Sequence, residues 1–396
     1  MKYFHIHAKL LSPLMVQENR QSNAPEGLSY VPGSTLRGAI AAQYLRQGGQ
    51  STDAAFRMLF LEDPVYFPDL FPCNSPEQCP EPLPLTAYSC KRSPGFLGDN
   101  GHGVEDSLAL LCAQNYEGSP LTKAIGCRKC GQDMKPFQGF WNAEVAHPQL
   151  CQPTMVYQRH TGIDRQTDTI ASSIFYVTQG ISDSRKKPDR ADFSQRLEGQ
   201  DPTESPQYLG GGIFLKDSQL EALQPCLQET IFAGADRTRG MGEMKLTLKE
   251  SSPPKFNLEE WNRSFSKKVR ELLNDSNKLP RGLYFSIGLL GHAILVDRFL
   301  RPTPELVLEH PSTELVLRII REHIVRGWHS SRGLPKNDDT AVAMGGVYLF
   351  RYGGDDSEKL SNYLNQLVVQ GVGLKKAEGF GRVTVCNPVH VTQGGF

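Results

Sequence analysis

Gly234-Ala-Asp-Arg237-Thr-Arg239-Gly240-Met-Gly242 and Gly373-Leu-Lys375-Lys376-Ala-Glu-Gly379-Phe-Gly381 share one spacing, G-x5-G-x-G. Their flanks match as well. Leu220, Leu223, Leu227 and Ile231 lead into the first loop at helical spacing, and Leu360, Leu364, Leu367 and Val368 lead into the second. Met244, Leu246 and Leu248 alternate after the first, and Val383 and Val385 after the second, which is the period of a strand. Helix, glycine loop and strand thus occur twice, each time with two basic residues in the loop. Such an internal repeat predicts two related domains.

Outward from the loops, Phe4, Ile6, Ala8 and Leu10 alternate with His5, His7 and Lys9, so the chain opens with a half-buried strand. Tyr30-Val-Pro-Gly-Ser-Thr-Leu-Arg-Gly38 reads as a turn delivering a helix, with Ser34 placed to cap the run from Thr35 to about Leu45. Residues 63–150 are rich in Pro and Gly, lack sustained periodicity and hold six of the nine cysteines, and are expected to form an irregular insertion. Strands are expected at Ser172–Val177 and Gly212–Leu215, with a long exposed loop from Ser182 to Pro206 between them. Ser251-Ser-Pro-Pro254 marks a linker. Beyond it, Leu283, Phe285, Ile287 and Leu289 begin a new strand, and Leu315, Ile319, Ile320 and His323 share one face of an expected helix from Thr313 to Val325. The second unit then reads strand, helix, strand, helix, strand.

A chain of 396 residues exceeds the usual span of one hydrophobic core, in keeping with two domains. Its 39% hydrophobic content excludes wholesale disorder. The 43 basic and 43 acidic side chains cancel, so a nucleic-acid footprint must be local. No window reaches the roughly 18 apolar residues of a membrane helix, and the N-terminus lacks a signal-peptide core, so a cytoplasmic protein without membrane partners is expected. An odd number of cysteines in a chain this long favours metal ligation of the clustered pairs over a disulfide framework.

Four segments carry a resemblance: Tyr30–Gly38, Arg159-His-Thr-Gly-Ile-Asp-Arg165 before a hairpin from Thr169 to Val177, and the two glycine loops. In that order they resemble the repeat-associated (RAMP) superfamily of type III CRISPR systems, most closely the two-domain subtype III-D subunit in the guide-RNA 5′-handle-binding position. The resemblance implies an α+β fold of two ferredoxin-like (RRM-like) domains in tandem. These are residues 1–250, carrying the Cys-containing insertion of 63–150, and residues 281–396, joined by a linker over 251–280. It also implies a non-catalytic subunit of an effector complex. Such a subunit binds the 5′ handle of the CRISPR RNA, contacts the large signalling and nuclease subunit and the backbone RAMP subunits, and meets target RNA only indirectly. Relatives that process precursor RNA use a histidine-centred site, so a metal-independent endoribonuclease built on His160 or His5 is the alternative. No general acid and base share a compact motif here, and no catalytic residue is expected.

A glycine loop lets the backbone approach a phosphate while neighbouring cations supply charge. The expected RNA contacts are therefore Gly234, Arg237, Arg239 and Gly240 in the first loop and Lys375, Lys376, Gly379 and Gly381 in the second. The plain alternative is a surface turn with solvated charges. Gly33, Ser34 and Thr35 offer helix N-terminal amides, with Arg37 one turn in; the plain alternative there is capping. Arg159, His160 and Arg165 stand where a bent guide strand could be held. Cys127-x2-Cys130 is a knuckle of zinc-binding spacing that needs two more ligands. Cys73 and Cys79 are the first choice, with Cys90 and His102 as alternatives, and a structural Zn2+ would order an insertion that lacks a core. Cys112, Cys226 and Cys386 read as small core residues.

Overall fold

The computed structural model describes residues 1–17, 27–120, 126–142, 148–163, 167, 169–185, 205–329 and 332–392. In chain order the principal elements begin with strand β1 (Lys2–Leu10), helix α1 (Gly33–Arg46), strands β2 (Phe71–Cys73), β3 (Ala87–Cys90) and β4 (Val104–Asp106), and helix α2 (Leu108–Glu117). Strands β5 (Met134–Pro136), β6 (Met155–Ile163), β7 (Ile170–Ile181) and β8 (Tyr208–Leu215) follow, then helix α3 (Asp217–Gln228) and strands β9 (Ile231–Phe232) and β10 (Glu243–Ser251). Helix α4 (Leu258–Leu272) precedes strands β11 (Leu283–Leu289), β12 (Thr313–Ile319), β13 (Glu322–Val325), β14 (Asp339–Val342) and β15 (Val347–Tyr352). Helix α5 (Ser357–Gln370) and strand β16 (Val383–Val385) close the series. The architecture is mixed α and β with antiparallel sheets.

The chain divides into two compact units, one of Met1–Pro80, Cys151–Ser252 and Val325–Asp338, the other of Glu81–Leu150, Pro253–Ile324 and Asp339–Phe396. In the first unit the sheet order is β9-β10-β1-β8-β2. Phe4, Ile6, Ala8 and Leu10 of β1 enter one core with Leu36 and Ile40 of α1 and Leu223 and Cys226 of α3. The alternation that announced β1 is thus the alternation of its buried apolar face. His5 and His7 on the other face are only 7% and 4% exposed, and His7 Nε2 lies 2.9 Å from the Gln78 carbonyl. The helix after Pro32 begins at Gly33, not after a Ser34 cap: Pro32 occupies the capping position, and the Gly33 N–H donates to the buried carboxylate of Asp69 at 2.7 Å.

In the second unit the sheet order is β12-β15-β11-β16. Leu258, Trp261, Phe265 and Val269 recur at three- and four-residue spacing on α4 and are buried, while the Asn257 side chain caps the helix by accepting from the Glu260 N–H at 3.1 Å. The insertion is less irregular than its composition suggests. Residues 81–150 group with this second unit, not the first, because α2 adds Leu108, Leu111 and Cys112 to the core that holds Trp261, Phe265 and Leu349. Asp106, just ahead of α2, meets His390 at 3.0 Å with both side chains 1% exposed, and it also accepts from the Thr86 hydroxyl.

The expected helix from Thr313 to Val325 is two strands, β12 and β13. Leu315 and Ile319 are four apart, as on a helix, but with Leu317 between them they also alternate with Glu314, Val316 and Arg318. Strand geometry wins because β12 finds a partner in β15, with Thr313 opposite Tyr352 and Ile319 opposite Val347. β-Branched Thr313, Val316 and Ile319 suit that pleated surface.

Candidate nucleic-acid interface and metal centre

The two glycine loops share their hydrogen bonds as well as their spacing. In the first unit Gly242 N–H donates to Pro13 O at 2.8 Å, Ala233 N–H to Gly242 O at 2.9 Å and Ala235 N–H to Met15 O at 2.8 Å. In the second, Gly381 N–H donates to His292 O at 2.8 Å, Val372 N–H to Gly381 O at 2.7 Å and Leu374 N–H to Ile294 O at 2.9 Å. Between the glycines each chain makes one tight turn, Arg239 N–H to Asp236 O at 2.9 Å and Glu378 N–H to Lys375 O at 2.8 Å. Both turns open on a residue with left-handed backbone, Asp236 at φ 53° and Lys375 at φ 55°. Gly242 and Gly381 have φ of 85° and 68°, and a Cβ on either would run into the carbonyl of Ala233 or Val372. The glycines are therefore dictated by positive φ and close backbone approach together.

Around the first loop Arg237 and Arg239 are both exposed. Arg239 Nη1 donates to the Tyr176 hydroxyl at 2.6 Å, with its guanidinium 6.0 Å from that ring's centroid and 3.6 Å from the Asp236 carboxylate. Tyr176 stacks on His160 with centroids 4.7 Å apart and planes at 15°, and His160 Nε2 lies 3.0 Å from Thr178 Oγ1. The register of β6 and β7 places Tyr176 directly opposite His160, so these rings are cross-strand neighbours. Arg239 and His160, singled out separately in the sequence, are thus joined through Tyr176. Sequence reading passed over that residue because its role needs the hairpin register. Arg159, opposite Val177, is exposed on the other face of the hairpin with Tyr157 and Ile163, which are 65% and 68% exposed. Arg165 lies outside the described residues.

The second loop is differently engaged. Lys375 is ion-paired with Asp339 of β14, and Lys376 is half-buried, its ammonium pulled below the ordinary lysine pKa by desolvation. At the start of α1, Asp69 already takes the Gly33 amide, and Arg37 donates from Nη2 to the Phe60 carbonyl at 2.7 Å, with its guanidinium 5.9 Å from the Phe60 ring centroid. Ser34 and Thr35 are half-buried in the first turn.

Cys90, His102, Cys127 and Cys130 converge in the second unit with their ligand atoms all within 4.8 Å of one another. Cys90 Sγ is 3.5 Å from Cys130 Sγ, and Cys127 Sγ is 3.6 Å from His102 Nδ1. Thiolates at tetrahedral corners of one zinc lie about 3.8 Å apart for a Zn–S bond of about 2.3 Å, so this spacing fits. The knuckle is shaped by backbone bonds, Gly131 N–H to Cys127 O and Cys127 N–H to Gln132 O, each at 2.7 Å, with Gly131 at φ 70°. Burial pushes the Cys90 thiol up, but the amides of Ser93 and Arg92 and the thiols of Cys130 and Cys127 outweigh it and bring Cys90 down to about 6, into the range where a thiolate ligand forms readily. Three sulfurs and one imidazole make a closed donor set of the structural kind.

Cys73 and Cys79, the first-choice partners for the knuckle, are corrected by this geometry. They belong to the other unit, where Cys73 lies 3.3 Å from the Gln78 carbonyl and burial raises its thiol pKa. The second-choice residues, Cys90 and His102, take their place. Cys112, Cys226 and Cys386 are buried core residues. No helix among the described residues is long and apolar enough to cross a membrane.

No protein-family model and no curated protein matches the sequence. Among solved structures, the chain is similar to one from a cryo-EM structure of the type III-B Cmr-beta bound to cognate target RNA and AMPPnP. That likeness has 13% identity, covers 87% of this chain and 86% of that one, and gives a TM-score of 0.43. A second Cmr-beta structure bound to cognate target RNA gives 11% identity over 91% and 89% of the two chains and a TM-score of 0.42. Pyrococcus furiosus Cmr4 (Cas7) gives 13% identity over 63% of this chain and 100% of that one, with a TM-score of 0.23. The structural neighbours are thus type III CRISPR subunits, and at TM-scores this low the functional reading is drawn from the chain's own residues.

Proposed function

We propose that this chain is a non-catalytic, RNA-binding subunit of a cytoplasmic type III CRISPR effector complex. In this reading it holds the 5′ repeat-derived handle of the CRISPR RNA, contacts the large signalling and nuclease subunit and the backbone RAMP subunits, and carries a structural Zn2+ on Cys90, His102, Cys127 and Cys130. The observation that carries it is the contact of Arg239 with the Tyr176–His160 stack, with Arg237 exposed on the same loop. A phosphate beside the arginines and a base near the aromatic rings are the two contacts single-stranded RNA asks for.

The strand orders support two ferredoxin-like domains. In chain order β1, β2, β8 and β10 lie side by side as fourth-first-third-second, with α1 after the first strand and α3 after the third. Strands β11, β12, β15 and β16 repeat that order with α5 after the third. In the second unit a loop replaces the helix after the first strand, while α4 and α2 help to fill the core.

His160, the candidate acid or base of the endoribonuclease alternative, stacks on Tyr176 with Nε2 at Thr178, and His5 is 7% exposed, which supports a stacking role for the one and a structural role for the other. Purification of the tagged chain from its host, with sequencing of the retained RNA and identification of co-purifying proteins, tests the proposal. Uncut RNA with repeat-derived 5′ ends, together with a large effector subunit, is the expected result. Cleavage within the repeat that is abolished by His160→Ala would replace it with the endoribonuclease.

A further inference from the structure

The two glycine loops have nearly the same backbone but opposite charge placement. Aligning Gly234 with Gly373 sets Asp236 against Lys375, Arg237 against Lys376 and Arg239 against Glu378. An acid stands where the second loop has a base at one end of the turn, and a base where it has an acid at the other.

The equivalence extends to the hairpin packed beside each loop. Leu14 and Ile181 exchange two backbone bonds, each at 2.8 Å, and Ala293 and Val342 exchange two at 2.9 and 2.8 Å. One residue further on, Ser182 N–H donates to Thr154 O and Ala343 N–H to Arg321 O, both at 2.8 Å. Counting back three along β7 and β14 then aligns Thr178 with Asp339. In the first unit that place holds a neutral side chain, 3% exposed and bonded to His160. In the second it holds the carboxylate that pairs with Lys375.

The geometry points to a division of labour that rests on the RNA-binding reading and refines it: the first loop takes the RNA phosphate, and the second is an internal clamp that fastens its own hairpin and takes no phosphate. A phosphate reaching Lys375 also meets Asp339, whose carboxylate already pairs with that ammonium, while Lys376 is half-buried. At the first loop Arg239 lies beside the Asp236 carboxylate, Arg237 is exposed, and the hairpin position holds the uncharged Thr178. The strength of the Lys375–Asp339 pair is not the issue, since both partners are partly exposed and such pairs are weak. Sign decides: an anion displacing Asp339 from Lys375 leaves two negative groups side by side.

The test is the salt dependence of binding to a labelled mixed-sequence single-stranded RNA, measured on the full chain. Arg237→Gln with Arg239→Gln should flatten the slope of log K against log salt by about 0.7 for each phosphate that is no longer neutralised. Lys375→Gln with Lys376→Gln should leave that slope unchanged, with at most a small change in melting temperature. Asp339→Asn, which frees Lys375, should steepen it. Equal flattening by the two double variants, or no steepening with Asp339→Asn, would overturn the division of labour and leave RNA binding in place. An unchanged slope in both double variants, or no binding by the unmodified chain, would remove the glycine-loop reading itself, and the inference with it.

Discussion

Gly240 and Gly242 lie two residues apart, both with positive φ, yet they differ in what a side chain would meet. A Cβ on Gly240 has open space around it, whereas one on Gly242 meets the Ala233 carbonyl. Gly240→Ala should therefore cost only the left-handed backbone, about 1 kcal/mol. Gly242→Ala and Gly381→Ala should each cost about 2–3 kcal/mol, because the backbone must also move. Urea unfolding of the three variants checks this, and equal losses would show that packing at the second glycine contributes nothing. His292 has a different consequence. Burial, the stacked His323 ring 4.0 Å away and Arg321 hold its pKa down to about 3, from an ordinary 6.5. Between those values the unfolded chain binds the proton and the folded one does not, so stability is intact above 6.5 and falls as the pH drops below it. His292→Gln should flatten the melting temperature between pH 7 and 4, whatever it does to the value at neutrality; an unchanged acid slope would place the acid sensitivity elsewhere.

At the scale of elements, the opening strand and the helix–loop–strand repeat were legible because their periods are local and unambiguous. Thr313–Ile319 was not. Its spacing fits both 3.6 and 2, and only the pairing with β15, some thirty residues on, decides between them. The Cys3His cluster shows the same limit. Cys127 and Cys130 are readable from spacing alone, but Cys90 and His102 come close only once β3 pairs with β5 and the Ser93–His102 turn closes. The insertion's attachment to the second unit was equally hidden, since it rests on α2 packing beside α4 and on Asp106 meeting His390. Both of those side chains are buried, so replacing the carboxylate takes from His390 Nδ1 the group it meets. Asp106→Asn should destabilise the protein by about 1–3 kcal/mol, the range for leaving a buried polar group without its partner. Thermal melting measures it, and a loss below about 0.5 kcal/mol would mean that the His390 ring finds another partner.

For the molecule as a whole, the two units draw their order from different sources. The first is built around one sheet and two helices, with Leu59, Phe60, Val65 and Phe67 between them completing its core. The second incorporates a segment whose short strands, β3 and β4, feed a small cluster of Leu83, Ala87, Phe96, Val104 and Trp141, together with α2, which reaches the larger core. A metal held by Cys90, His102, Cys127 and Cys130 would crosslink the end of β3 to the knuckle ahead of β5, and its contribution would be felt along the path from knuckle to α2 to α4. Elemental analysis of protein purified without chelator should give about one zinc per chain. Cys127→Ser or treatment with a strong chelator should then raise amide exchange across residues 81–150 first and in α4 next, with β1, β8 and β10 retaining their protection. A zinc content near zero removes the metal. Full metal content with no change in exchange on its removal would show that the core made by α2 is sufficient to hold the segment by itself.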